Sequence, residues 1–135
     1  IAITMIASLA QRLVRCVCAH CAEEFKPEAA DFAQLGRTPA DAQGATFRRG
    51  RGCDACRHTG YHGRIAIYEM LPFSNEIKEM TIRREPSTHI KRRAIELGMR
   101  TLRNSGWERV RDGKTTFEEV VRVTAESDVF DDAKA

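Results

Sequence analysis

The chain has 135 residues, 42% hydrophobic and 30% charged, which suits one ordinary globular domain or a piece of one and excludes a disordered or fibrous chain. Its 7% aromatic content excludes a surface built mainly for stacking on single-stranded nucleic acid. The formal net charge of +3 divides unevenly: residues 125–135 set Glu126, Asp128, Asp131 and Asp132 against Lys134, a local −3 that leaves +6 on residues 1–124 and permits an anionic partner without naming one.

The uncharged stretch at residues 1–10, which Gln11 extends up to Arg12, is about half the roughly 20 apolar residues that a membrane-spanning helix needs. It lacks an initiating Met and a positive residue ahead of the apolar run, so it reads as a poor signal peptide and as the start of a fragment cut inside an element. Residues 3–16 place Ile6, Leu9, Leu13 and Val14 at helical spacing, with Gln11, Arg12 and Arg15 on the other side. A helix is predicted there, packed against something upstream.

Residues 17–64 lose periodicity and collect Cys, Gly, Arg and His, apart from a short helix after Pro27 that Gly36 ends. This segment lacks the apolar residues for a core of its own. From Arg64 the run RIAIYEML reads as a strand with Ile65, Ile67 and Glu69 on one face, stopped by Leu71-Pro72. Helices follow, with Ser74 and Ser87 as cap candidates, Ile77, Met80 and Thr81 in one stripe, and Ile90, Ala94, Ile95 and Leu97 in another. Gly98 ends the second of these. A third carries Leu102, Trp107 and Val110 and closes at Gly113. The last begins with a capping box of Thr116 and Glu119 and turns Phe117, Val120 and Val121 inward. The acidic tail from Ala125 is expected to be loose.

Four of the five cysteines form two pairs of one spacing, Cys18-Ala19-His20-Cys21 and Cys53-Asp54-Ala55-Cys56. A CxxC turn lets two thiolates converge on one ion while amides of the turn donate to the sulfurs, and two such turns complete a closed tetrahedral shell. Cys18, Cys21, Cys53 and Cys56 are therefore the expected metal ligands and structural Zn²⁺ the expected occupant. Four thiolates around Zn²⁺ carry a net −2, which gives nearby Arg15, Arg48, Arg49, Arg51 and Arg57 a local reason to be basic; Gly50 and Gly52 give the second knuckle backbone freedom. Two disulfides or an iron–sulfur or redox pair are the competing readings of the same residues. Cys16 falls outside the matched spacing and reads as a packing residue, and His20 and His58 as solvent-facing loop residues. No Ser/His/acid set and no GxxxxGK[ST] loop stands out, so no catalytic and no cofactor-binding residue is assigned.

Several stretches resemble the type II secretion and type IV pilus assembly ATPases, the GspE/PilB family. LAQRLVRCVCAHC is similar to the family's lead into its first knuckle, with Cys16 where a basic residue is usual. GCDACRHTGYHGRIAIYEML matches the second knuckle and the GYxGRxxIxE stretch behind it, and the GMRTL and TTFEEVVRVT segments resemble the helical C-terminal end. The resemblance implies an α+β fold: residues 1–16 as the end of a RecA-like ATPase core, 17–64 as a tetracysteine metal-binding subdomain, 65–124 as a small helical subdomain and 125–135 as the tail. It implies a hexameric parent motor using ATP and Mg²⁺, cytoplasmic, at the inner membrane through a platform protein and other assembly components. The nucleotide site would lie upstream, so the chain alone is expected to be inactive. Within GYxGR, Gly60 and Gly63 read as bracketing a tight turn with Tyr61 stacked beside the knuckle, and Arg64 as part of that turn or as a subunit contact. A zinc-ribbon module for nucleic acid is the alternative; the sparse aromatics among the basic residues argue against it, and no nucleic-acid partner is expected.

Overall fold

The computed structural model describes residues 2–128. In chain order it contains β1 (Ala7–Val17), β2 (Ala22–Glu24), α1 (Ala29–Gln34), β3 (Arg48–Gly50), β4 (Tyr61–Pro72), α2 (Asn75–Ile82), α3 (Ser87–Glu96), α4 (Leu102–Arg111) and α5 (Phe117–Asp128). Single 3-10 turns lie at Pro39–Ala42 and Asp54–Cys56. This is an α+β arrangement in which a long two-stranded ribbon, β1 against β4, carries the helices on one face, and a short β2–β3 ribbon sits at one end.

The predicted first helix is instead a strand. Its Ala, Leu, Gln and Arg residues favour a helix, yet β1 pairs antiparallel with β4 from Ala7↔Pro72 to Val17↔Tyr61, and that long ladder overrides local preference. The helical stripe in the sequence came from a ribbon apolar on both faces. Val14 is fully buried, whereas Leu9 and Leu13, on the opposite face beside Met70 and Ala66, are 59% and 48% exposed.

The other elements follow the sequence closely. Gly36 and Gly98 end α1 and α3 at positive φ, and Gly113 follows α4 likewise. The Ser74 hydroxyl accepts from the Ile77 amide at 3.3 Å and caps α2. The cap of α3 is Pro86, one residue before the expected Ser87, because Pro has no amide to leave unsatisfied there. Ile67 is buried and Ile65 half-buried; the Glu69 carboxylate accepts from the Leu102 amide at 3.0 Å and so anchors α4 to β4. Of the expected tail, residues 125–128 continue α5 and the remainder lies outside the described residues.

One core joins the ribbon, the middle segment and the last two helices: Val14, Phe32, Leu35, Phe47, Ile67, Leu102, Trp107, Val110, Phe117 and Val120. At its centre Phe32, Phe47, Trp107 and Phe117 pack with ring centroids 5.5–6.1 Å apart, several edge to face. The middle segment thus supplies Phe25, Phe32, Leu35 and Phe47 to a shared core. A smaller cluster of Ile77, Ala94 and Met99 holds α2 against α3 apart from it.

Candidate metal centre

The four expected ligands converge. The Sγ atoms of Cys18, Cys21, Cys53 and Cys56 all lie within 4.8 Å of one another. Cys18 to Cys53 is 3.9 Å, Cys21 to Cys56 is 3.8 Å and Cys53 to Cys56 is 3.8 Å. Four sulfurs at about 2.3 Å from a central Zn²⁺ define a tetrahedron whose edge is about 3.8 Å, so the set has the dimensions of that shell. The same separations are nearly twice the roughly 2.05 Å of a disulfide, and all five cysteines are free thiols. Cys16 is half-buried and outside the cluster, while His20 and His58 are exposed, His58 pairing with Asp54 at 3.0 Å.

Local backbone chemistry brings the sulfurs together. In each CxxC turn the second cysteine's amide donates to the first's carbonyl, Cys21 to Cys18 at 3.3 Å and Cys56 to Cys53 at 3.2 Å. The β2–β3 ribbon, from Ala22↔Gly50 to Glu24↔Arg48, starts directly after the first knuckle and ends directly before the second, which fixes their spacing. Gly52 then adopts φ 99° to turn into the second knuckle. Gly50 answers a different need: a Cβ there would stand 2.0 Å from the Gly60 carbonyl oxygen.

Amide donors surround the sulfurs. The Gly52 amide donates to Cys21 Sγ at 3.3 Å, and the Cys53 and Gly60 amides each donate to Cys56 Sγ at 3.2 Å. Burial acts to raise the Cys56 thiol, but the Cys53 and Gly60 amides, with the Cys53 and Cys21 thiols, outweigh it and bring Cys56 down to about 6. Burial, reinforced by the Cys56, Cys53 and Cys18 thiols, pushes Cys21 up to about 11 against the Gly52 amide. Amide donors aimed at the Cys21 and Cys56 sulfurs favour their ionised forms, and the charge of a bound cation would favour ionisation of all four. Cys18, Cys21, Cys53 and Cys56 would hold the ion, which would supply a cross-link and, with no open position, no catalysis.

Two of the arginines near the ligands in sequence, Arg15 and Arg49, have partners of their own. Arg49 pairs with Glu23 at 3.3 Å and lies over the Phe25 ring. Arg15 lies over the Tyr61 ring, 4.3 Å from its centroid, and donates through Nη2 to the Glu119 carboxylate at 2.9 Å. Glu119 is 1% exposed and also accepts from the Arg15 amide at 3.0 Å and from Arg122 Nη2 at 2.6 Å. The forward half of the predicted capping box forms, the Glu119 amide donating to the Thr116 hydroxyl at 3.3 Å. The carboxylate turns to the two arginines instead of back to the turn. Sequence reasoning missed this pairing because Arg15 and Glu119 lie 104 positions apart.

Gly60 and Gly63 do not bracket a turn. Gly60 immediately precedes β4, and Gly63 lies within that strand, opposite the register shift between Arg15 and Val17. Tyr61 does stand beside the knuckle, and its hydroxyl lies 2.7 Å from that of Thr116. Arg64 is exposed on the strand.

The chain is 43% identical over 126 residues to the type IV pilus assembly ATPase PilB of Thermus thermophilus, covering 93% of this chain and 14% of that protein. It is 38% identical over 123 residues to the type II secretion system protein E of Pseudomonas aeruginosa, covering 91% and 24% respectively. With the PilB ATPase of Myxococcus xanthus the identity is 43% over 120 residues, 87% of this chain and 21% of that protein. The chain therefore spans between about a seventh and a quarter of the length of these relatives. The family model described as type II/IV secretion system protein matches residues 1–122, nearly the whole described fold, and the chain belongs to that family.

Proposed function

We propose that this chain is the C-terminal region of a motor ATPase that powers type II protein secretion or type IV pilus assembly, with Zn²⁺ bound by Cys18, Cys21, Cys53 and Cys56 as its internal brace. The observation that carries the reading is the coincidence of a tetrahedral four-thiol cluster with high identity, over most of this chain, to proteins named as secretion and pilus assembly ATPases. In this reading residues 1–16 close a RecA-like core and 17–64 hold the metal. Residues 65–124 form the helical region and 125–135 the tail. This division is one of roles, because residues of the first three segments pack into one core.

The parent hydrolyses ATP with Mg²⁺ as a homo-hexamer in the cytoplasm, held at the inner membrane by a platform protein and other assembly components. No helix among the described residues is long and apolar enough to cross a membrane, which suits attachment through partners. The chain alone is inactive, since none of its residues forms a nucleotide-binding loop.

The test is to express the complete gene product beside this chain and to measure ATP hydrolysis and mass in solution. Turnover by a ring of the complete protein, and none by the chain, is expected. A complete protein without turnover sinks the motor reading. Salt-sensitive binding of the chain to duplex DNA would favour the zinc-ribbon alternative.

A further inference from the structure

The turn between α4 and α5 grips the metal end of the ribbon through a continuous set of hydrogen bonds. The Val17 amide donates to the Lys114 carbonyl at 2.8 Å, and the Thr115 hydroxyl donates to the Arg15 carbonyl at 2.7 Å. One residue after Val17, the Cys18 amide donates to the Gly60 carbonyl at 2.9 Å, while the Gly60 amide donates to Cys56 Sγ at 3.2 Å. Gly60 thereby joins one ligand from each knuckle. Its neighbour Tyr61 reaches across to Thr116, the residue that caps α5, and lies under Arg15, which holds the buried Glu119 of the first turn of α5.

We propose that Tyr61, Thr116 and the Arg15–Glu119 pair are positioning residues for the metal centre, so that metal occupancy and the seating of α5 stabilise one another. The inference rests on the metal reading above. Gly60 bridges the two knuckles through its carbonyl to the Cys18 amide and its amide to Cys56 Sγ, and it lies close against Gly50 on one side and leads into the strand that begins at Tyr61 on the other. Tyr61 is half-buried and its hydroxyl meets α5, so ordering the knuckle orders the cap of α5 and the reverse. Linkage makes the effect reciprocal: whatever factor metal contributes to the seating of α5, seating of α5 contributes to metal affinity. By contrast α2 and α3 pack in their own cluster and stand outside the path.

The test uses the chain loaded with Zn²⁺ alone. Zinc affinity is read by competition with a chromogenic chelator for wild type, Tyr61→Phe, Thr116→Val and Thr116→Ser. The Phe variant keeps the ring under Arg15 and removes the hydroxyl only; the Ser variant keeps the hydroxyl. Amide hydrogen exchange is then followed in the wild type with and without zinc. The expected result is roughly fivefold weaker zinc binding for Tyr61→Phe and Thr116→Val, near wild-type binding for Thr116→Ser, and loss of protection on chelation in residues 117–124 but not in 75–96. Zinc bound equally by all four proteins, or unchanged exchange in 117–124, overturns the coupling and leaves the metal reading intact. Loss of protection throughout, α2 and α3 included, is global unfolding and also overturns it. A wild type that takes up no zinc overturns the metal reading and the coupling with it.

Discussion

Glu119 is a buried carboxylate held between two guanidiniums, those of Arg15 and Arg122. Burial acts to raise its carboxyl, but the Arg122 and Arg15 guanidiniums and the Arg15 amide outweigh it and bring it from 4.5 down to about 2. The folded carboxyl binds its proton less tightly than the unfolded one, so its stabilisation is complete above about pH 4.5 and is lost as the pH falls toward about 2. Both arginines are about half exposed, 44% and 59%, and water screens them, which keeps the contribution on the order of 2 kcal/mol. Glu119→Gln is expected to lose about that much stability at neutral pH in urea unfolding, with the gap to wild type narrowing between pH 4.5 and 2. A constant gap across that range would rule the ion pair out as the cause. Gly50 makes a purely steric prediction: Gly50→Ala drives a Cβ into the Gly60 carbonyl, and because Gly60 bridges two ligands, zinc uptake is expected to fall together with the melting temperature.

Among the elements, α4 and α5 are locked by close approach. A Cβ on Gly106 would stand 2.5 Å from a methyl of Val120, so the helices meet backbone to side chain at the aromatic core. Trp107, 3% exposed, fills that core against Phe32, Phe47 and Phe117. Trp107→Ala is expected to cost about 3–5 kcal/mol by chemical denaturation. A loss below about 1 kcal/mol would mean that the middle segment does not pack where described. The ribbon behaves differently on its two faces. Its inner face holds Val14 and Ile67 without exposure, while its outer face leaves Leu9, Leu13, Tyr68 and Met70 between 44% and 59% exposed. That asymmetry explains the misreading of β1, since an apolar outer face supplied residues at positions that also satisfy a helical repeat.

For the whole molecule the central quantity is metal. The first measurement is zinc content by mass spectrometry of the intact chain, expected at about one ion per chain. Cys53→Ser, which removes a ligand that lies partly at the surface, is expected to abolish it without disturbing α2 and α3. Because the knuckles, the ribbon and α5 are one connected body, chelation is expected to lower the melting temperature of that body, not of an independent appendage. Circular dichroism that does not change on chelation would refute the brace.

The four-thiol cluster was legible in the sequence because two CxxC pairs of identical spacing act within four residues each, and local backbone geometry suffices to form each half of it. Helix ends were legible for the same reason: Ser74, Gly36, Gly98 and Gly113 act through their own dihedral and hydrogen-bonding preferences. The strand at β1, the aromatic core drawn from four separate segments, the Arg15–Glu119 pair and the reach of Tyr61 to Thr116 were not. Each depends on residues between 55 and 104 positions apart or on a partner strand, and no local pattern encodes such a meeting. The sequence by itself determined which four thiols come together and where helices stop. Only the tertiary structure decided what the metal end is fastened to, because that fastening exists solely in contacts which chain folding brings together.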